Sequence, residues 1–264
     1  MTEKEYRQHP AISRSELWRM HESPEKFKYF KEHPPEPTPS LLFGQVVHKL
    51  LLQPEDFESD FAIIPNVDAR TRAGKEALKL IENTDGRARV KYDMYETASL
   101  MVEKAMSEPL VRKLLAGQKE QPFFWTDADT GEDCKIRTDC LTEIGDNLII
   151  VDYKTCNDAS TDVFMREAVK FGYEFQSAMY SEGVERNTGR KPLFVFIAQE
   201  KSEPYSLNIL QADETFVLRG YDRYREFLGI YHYCKENNDW YGYMGKEKIL
   251  NTLTLPSWMK GDNE

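Results

Sequence analysis

The run Cys134-Lys135-Ile136-Arg137-Thr138-Asp139-Cys140-Leu141-Thr142-Glu143, followed after Gly145-Asp146 by Leu148-Ile149-Ile150-Val151-Asp152-Tyr153-Lys154-Thr155, decides how the chain folds. Both runs have strand composition, and Gly145-Asp146 has the residue types of a tight turn, so the pattern predicts an antiparallel hairpin. Strand side chains alternate, which sends Asp152 and Lys154 to one face and Val151 and Tyr153 to the other. With a two-residue loop, counting back from the turn sets Asp139 opposite Asp152 and Arg137 opposite Lys154; a slip of one residue would break the alignment. Two carboxylates that face each other across neighbouring strands repel unless a proton or a cation separates them.

Outward from the hairpin, the aromatic run Pro122-Phe123-Phe124-Trp125-Thr126 predicts a strand from Gln121, closed by the turn residues Asp127-Ala128-Asp129-Thr130-Gly131. Downstream, helices are expected over 161–170 and 173–186, strands over 193–199 and 206–211, and a long aromatic-rich helix over 213–235. Upstream, Ser13-Arg14-Ser15-Glu16 has the capping-box pattern and opens a helix carrying Leu17, Trp18 and Met20. Ser23-Pro24 opens a second helix to about Glu32, which the proline run from Pro34 to Pro39 ends. Leu42, Val46, Val47, Leu50 and Leu51 recur at helical spacing before Pro54, and Gly44 and His48, four apart, share a face of that helix. Residues 66–90 are polar, with Arg70, Arg72, Lys75, Arg87, Arg89 and Lys91 in or beside them, and read as partly helical. Further helices are expected over 93–106 and 108–116. The order predicts an α/β core sheet covered by helices, with an N-terminal helical elaboration. It is read as a single domain over 1–264: a mainly helical part (1–118), the catalytic sheet and helices (119–212), and a C-terminal helix and tail (213–264).

The composition, 40% apolar and 30% charged over 264 residues, suits one substantial core. A formal charge of -10 argues against a broad electrostatic grip on nucleic acid and leaves positive potential to a local channel. No apolar stretch approaches the ~20 residues of a membrane helix, and MTEKEYRQHP lacks the apolar middle of a signal peptide, so a cytoplasmic protein is expected. Cys134, Cys140, Cys156 and Cys234 form no CxxC pair and are expected as free thiols.

A divalent cation would resolve the conflict between Asp139 and Asp152, and oxygen ligands of this kind suit Mg²⁺ or Mn²⁺. Lys154 could then orient a metal-activated water and offset charge building on a phosphoryl group. Taken alone, an Asp at a strand end is usually a solvated turn-former, and Asp152 with Lys154 could be a surface pair worth roughly 0–1 kcal/mol. The apolar run Leu148 to Val151 immediately before Asp152 shifts the balance towards a buried site.

The segment Gly131 to Asp139, with Val151-Asp152-Tyr153-Lys154-Thr155, resembles the signature of RecB-like PD-(D/E)XK nucleases. Gly44-x-x-x-His48 and Gln176-x-x-x-Tyr180 resemble the flanking motifs of that group, in the same order. Ile12-Ser13-Arg14-Ser15-Glu16-Leu17 and Leu255-Pro256-Ser257-Trp258 are more narrowly similar to the RecE-type exodeoxyribonuclease VIII domain. The resemblance implies the restriction-endonuclease-like core with a central mixed sheet. It implies His48, Asp139 and Asp152 as metal ligands with the Tyr153 carbonyl as a fourth, Lys154 as the catalytic lysine, and Gln176 and Tyr180 beside the substrate. Glu120 resembles an acid found ahead of the first strand in this group, without a role fixed by the sequence. The activity implied is Mg²⁺- or Mn²⁺-dependent exodeoxyribonuclease action on linear duplex DNA, 5′ to 3′, in homologous recombination. A RecT-like annealing protein and a ring-shaped homo-oligomer are the implied partners. The competing readings are a single-strand or structure-selective nuclease of the same fold, or an inactive DNA-binding module. The cysteine spacing does not fit the iron–sulfur cluster that some RecB-like nucleases hold, so none is expected, and no Walker motif is present.

Overall fold

The computed structural model describes residues 1, 3–67, 70–72, 74, 76 and 86–255. In chain order the elements are α1 (Glu3–Gln8), β1 (Ile12–Ser13), α2 (Arg14–Leu17), α3 (Pro24–Glu32), α4 (Pro39–Leu52), α5 (Phe57–Asp60), β2 (Phe61–Ile64), β3 (Ala88–Lys91), α6 (Tyr92–Ser107), α7 (Pro109–Leu114), β4 (Gln118–Thr126), β5 (Asp133–Ile144), β6 (Asn147–Cys156), α8 (Thr161–Phe171), α9 (Tyr173–Thr188), β7 (Leu193–Glu200), β8 (Leu207–Gln211) and α10 (Glu214–Asn237). Of the residues singled out above, Lys75 and Pro256-Ser257-Trp258 lie outside the described residues.

Local chemistry accounts for the boundaries. Ser13 caps α2 in a reciprocal capping box with Glu16, and Ser23 caps α3 with Pro24 in its first turn. Thr38 accepts from the Leu41 N–H with Pro39 following it, so the proline run that ends α3 also starts α4. Gly172, at φ 67°, ends α8 and begins α9, and a Cβ there would strike the Trp18 ring at 2.4 Å. At Gly220 a Cβ would fall 1.8 Å from the Glu174 carbonyl oxygen, so only glycine lets α10 approach α9 this closely.

The six-stranded sheet runs β1-β5-β6-β7-β8, with β4 also on β5. It is mixed: β4–β5, β5–β6 and β7–β8 are antiparallel, β1–β5 and β6–β7 parallel. One face packs α2, α3, α9 and α10 through Leu17, Phe27, Ile136, Ile150, Phe175 and Tyr224. The other packs α4, α6 and α7 through Val47, Leu51, Met101, Cys140, Val151 and Ile197. Helices therefore cover both faces, as expected of this α/β class. The N-terminal part adds three features that periodicity did not reveal: α1, the two-residue β1, and a small parallel sheet of β2 and β3. All four cysteines are free and buried, and no helix among the described residues is long and apolar enough to cross a membrane.

The hairpin has the expected register, from Ile144↔Asn147 to Cys140↔Val151, and there the ladder stops. Beyond it β6 follows its parallel partner β7 as far as Cys156↔Glu200, while β5 follows β4. Sheet twist then carries the two pairs apart. Arg137 accordingly faces Pro122 of β4, and Lys154 faces Ala198 of β7, so the expected pairing of Arg137 with Lys154 does not form. The edge that β5 turns away from β6 is taken by β1 through Ile12↔Cys134 and Ser13↔Lys135. The result is a fork in the middle of the sheet.

The pleat also changes phase at this point. Ile136 and Leu141, five apart on β5, contact the same core, whereas strict alternation would send them to opposite faces. The change falls beside the one missing rung of the β4–β5 ladder, Glu120 against Asp139, where Glu120 has a left-handed φ of 51°.

Candidate active site

Side chains from α4, β4, β5, β6 and α9 converge at the fork. From α4, His48 places Nε2 2.9 Å from Asp139 Oδ2 and Nδ1 3.4 Å from Glu120 Oε1. The Val46, Val47 and Leu51 face of α4 is buried in the second core, which brings His48 to the sheet despite its distance in sequence. Ligand atoms of His48, Glu120 and Asp139 all lie within 4.8 Å of one another. From β6, the backbone N–H of Tyr153 donates to Asp139 Oδ2 at 2.8 Å, bridging the mouth of the fork. The Tyr153 ring is buried in the other core, as strand alternation requires.

Asp152 stands beside this group rather than in it. It is buried, its Oδ2 lies 2.6 Å from Lys154 Nζ, and its Oδ1 accepts a hydrogen bond from Gln176 on α9. Gln176 is itself buried, so it is not a surface amide. Tyr180, one turn further along α9, is half-buried and packs on Phe194 at a centroid distance of 6.2 Å. Lys154 lies 5.0 Å from the centre of the Tyr173 ring. Of the residues marked by sequence, the structure thus gathers His48 with Asp139, and Asp152 with Lys154 and Gln176. It adds Glu120 to the first set.

Three residues had a weak sequence signal or none. Glu120 lies inside β4, whereas composition alone began that strand at Gln121. Arg137 places Nε 2.7 Å from Glu120 Oε2 and also pairs with Glu3 of α1. Arg14, from the capping-box segment, donates through Nη2 to the carbonyls of Phe171 and Gly172 at 2.7 and 2.6 Å, and its buried Nε has no hydrogen bond.

The electrostatics follow from burial opposed by pairing. Burial alone would raise the Asp139 carboxyl, but the charge and hydrogen bond of His48, with Lys154 and the Tyr153 N–H, hold it below the usual range. Burial lowers the His48 imidazole, yet Asp139, Glu120 and Asp152 outweigh it and leave it raised. For Asp152, burial and the like charge of Asp139 prevail over Lys154, and its carboxyl is raised. Glu120 is raised chiefly by burial, with His48 opposing and Asp139 adding. The Lys154 ammonium, lowered by burial, is raised on balance by Asp152, Tyr173 and Asp139.

The donor set fits a divalent cation. Glu120 Oε1 is a buried carboxylate oxygen without a hydrogen bond, aimed at His48. Two carboxylates and an imidazole within one small radius are ligands suited to Mg²⁺ or Mn²⁺, and the imidazole tilts the set towards the latter.

A family model described as "PDDEXK-like domain of unknown function (DUF3799)" matches residues 13–252. Among solved structures, the chain is similar to a candidate exonuclease from Eubacterium rectale. The TM-score is 0.68 at 16% identity, over 99% of this chain and 98% of that one. A second, titled SSO0001, has a TM-score of 0.40 at 10% identity over 86% of this chain and 81% of that one, too distant to carry an argument. No curated protein matches the chain at a significant level.

Proposed function

The chain belongs to the PDDEXK-like DUF3799 family, and from that premise we propose that it is a divalent-metal-dependent deoxyribonuclease whose reaction centre is the fork between β5 and β6. The observation that carries this reading is the convergence of His48, Glu120 and Asp139 beside an Asp152–Lys154 pair anchored by Gln176.

His48, Glu120 and Asp139 would hold Mg²⁺ or Mn²⁺, with Asp152 and the Tyr153 carbonyl as further ligands. The bound ion would supply Lewis-acid polarisation of a phosphoryl oxygen and a water acidic enough to attack at neutral pH. The chain's own groups do the rest. Gln176 fixes the Asp152 carboxylate, and Asp152 fixes the Lys154 ammonium, 2.6 Å away. So held, Lys154 can orient an attacking water and offset the negative charge that grows on the phosphoryl oxygens. Tyr180 and Arg14 lie close enough to the Asp152 charge to share its field, and a guanidinium there suits a backbone phosphate. Burial of the group keeps these charges in a low-dielectric setting, where their effect on a developing anion is greatest.

The finer reading rests on the RecE-like motifs and on the description of the Eubacterium rectale protein as a candidate exonuclease. It is an exodeoxyribonuclease of the cytoplasm, using Mg²⁺ or Mn²⁺ on the ends of linear duplex DNA in the 5′ to 3′ sense, as a single nuclease domain. Its setting is homologous recombination, with a RecT-like annealing partner and a ring-shaped homo-oligomer. The test incubates purified protein with linear duplex, closed circular and single-stranded DNA, labelled at either end, with Mg²⁺, Mn²⁺ or a chelator. Release of 5′ label from linear duplex only when metal is present, with circles intact, is expected. Cleavage of circles would replace the exonuclease reading with an endonuclease one. Metal-independent cleavage, or none on any substrate, would remove the site.

A further inference from the structure

One member of the candidate ligand set is not held by its own strand. Glu120 has a left-handed φ of 51° at the missing rung of the β4–β5 ladder, whereas its neighbours Lys119 and Gln121 pair with Cys140 and Thr138. Its two carboxylate oxygens differ. Oε1 is buried without a hydrogen bond, 3.4 Å from His48 Nδ1, and Oε2 lies 2.7 Å from Arg137 Nε. The last torsion of a glutamate is broad and roughly two-fold, so a free carboxylate would present either oxygen to His48. A donor on Oε2 removes that choice.

Arg137 is in turn held from outside the sheet. Its Nη1 meets Glu3 Oε2 of α1, and its guanidinium carbon lies 4.9 Å from the centre of the Tyr6 ring. One planar fork thus serves two acids through different nitrogens, a geometry that a lysine does not reproduce. Two further contacts seat α1. Lys135 Nζ donates to the carbonyls of Tyr6 and His9 at 2.8 and 2.7 Å, and the Tyr6 ring lies 6.2 Å from that of Phe124 on β4.

Charge explains why Glu3 belongs to the arrangement. A guanidinium beside a metal ligand repels the ion that the ligand would bind, and partial burial weakens the screening of that repulsion. Glu3 puts a negative charge on the other side of the same guanidinium. Burial would raise the Glu3 carboxyl, but the hydrogen bond and charge of Arg137, with those of Arg7, lower it, so Glu3 is ionised at neutral pH. Arg137 can then orient Glu120 at little electrostatic cost to a cation.

We infer that Arg137 and Glu3 are positioning residues for the cation: Arg137 keeps Glu120 Oε1 turned to His48, and Glu3 offsets the charge of Arg137. This rests on the reading of His48, Glu120 and Asp139 as metal ligands. α1 then governs how tightly the ion is kept, although no residue of α1 is in the ligand set.

The test titrates Mn²⁺ into the full chain without DNA, following loss of the free-ion electron paramagnetic resonance signal, beside melting temperatures in chelator. Arg137→Ala should weaken Mn²⁺ binding by about tenfold or more, and Arg137→Lys should not restore it. Glu3→Gln, on a partly exposed side chain, should weaken it by a smaller factor and keeps the test open if the Arg137 variants do not fold. In the Arg137→Ala background Glu3→Gln should add nothing, because Glu3 acts through Arg137. Unchanged or tighter Mn²⁺ binding in folded Arg137→Ala or in Glu3→Gln would overturn the inference and leave the metal site standing. An equal loss from Glu3→Gln with and without Arg137 would overturn it too. A wild type that binds no Mn²⁺ would remove the metal site, and the inference with it.

Discussion

The buried charges at the Asp127 turn and those at the fork, both in this sheet, are settled in opposite ways. At the turn between β4 and β5, Asp127 is almost fully buried, and each of its oxygens meets a donor. The Thr130 N–H and hydroxyl reach Oδ1 at 2.9 and 2.7 Å, and Arg225 of α10 grips both oxygens. At the fork, three acidic side chains, Glu120, Asp139 and Asp152, crowd together, and Glu120 Oε1 is left without a hydrogen bond. The first group has donors on both carboxylate oxygens, whereas the second pairs each acid with a cation and still leaves Glu120 Oε1 without a hydrogen bond. A satisfied buried ion cluster serves the fold, and an unsatisfied one costs stability that a ligand can return.

Exchanging one charge in each group separates these roles. Asp152→Asn keeps the shape of the side chain and relieves repulsion at the fork. Cleavage of labelled linear duplex should fall about 10³-fold while the melting temperature holds or rises. An active variant would make the fork as structural as the turn. Asp127→Ala should do the reverse. It strands Arg225 and should cost about 3 kcal/mol in denaturant unfolding, with the rate per folded molecule unchanged.

Acid sharpens the contrast. Burial would raise Asp127, but the hydrogen bonds of Arg225 and Thr130 and the Arg225 charge lower it to about 2. A carboxyl lowered on folding stabilises the native state fully above its unfolded value near 3.8, and that stability is lost as pH falls through the folded value. About 2 kcal/mol should therefore disappear between about pH 4 and pH 2, and Asp127→Asn should flatten this limb of the stability curve. For His48→Ala the expected effect is a rise of roughly tenfold or more in half-saturating Mn²⁺, larger than any loss in DNA affinity. An unchanged metal requirement, with only a lower melting temperature, would make His48 a core residue. The smallest effect is expected at Gly44, where an added Cβ would sit 3.7 Å from Thr155 Oγ1, an ordinary contact. Gly44→Ala should raise stability by up to ~1 kcal/mol through helix propensity, and a simultaneous fall in cleavage would show that the space serves substrate.

The sequence disclosed what local rules govern. The Gly145-Asp146 turn set the register from Ile144↔Asn147 to Cys140↔Val151, and the capping residues Ser13 and Ser23 set helix starts. The fork was hidden, because it depends on β6 staying with β7 and on a two-residue strand pairing in parallel across the chain. Glu120, Arg137 and Glu3 carry no periodicity to detect. Glu120 was visible only through resemblance, since its left-handed φ breaks the alternation by which a strand residue is assigned a face. Arg137 and Glu3 meet through α1, a helix of six residues too short for a hydrophobic period.

The fork has a consequence for how the protein is made. The β5–β6 hairpin closes locally, but His48 arrives from α4, Gln176 from α9, and the edge beside the fork is sealed by Ile12 and Ser13. Each of these joins residues far apart along the chain, and closing such loops is entropically costly until the whole fold repays it. A chain still emerging from the ribosome, or one partly unfolded, can hold the hairpin with Asp139 and Asp152 and still have no assembled centre. On the proposed reading, competence would be tied to completion of the fold, and an unfinished copy would lack the assembled centre that cleavage of nucleic acid requires.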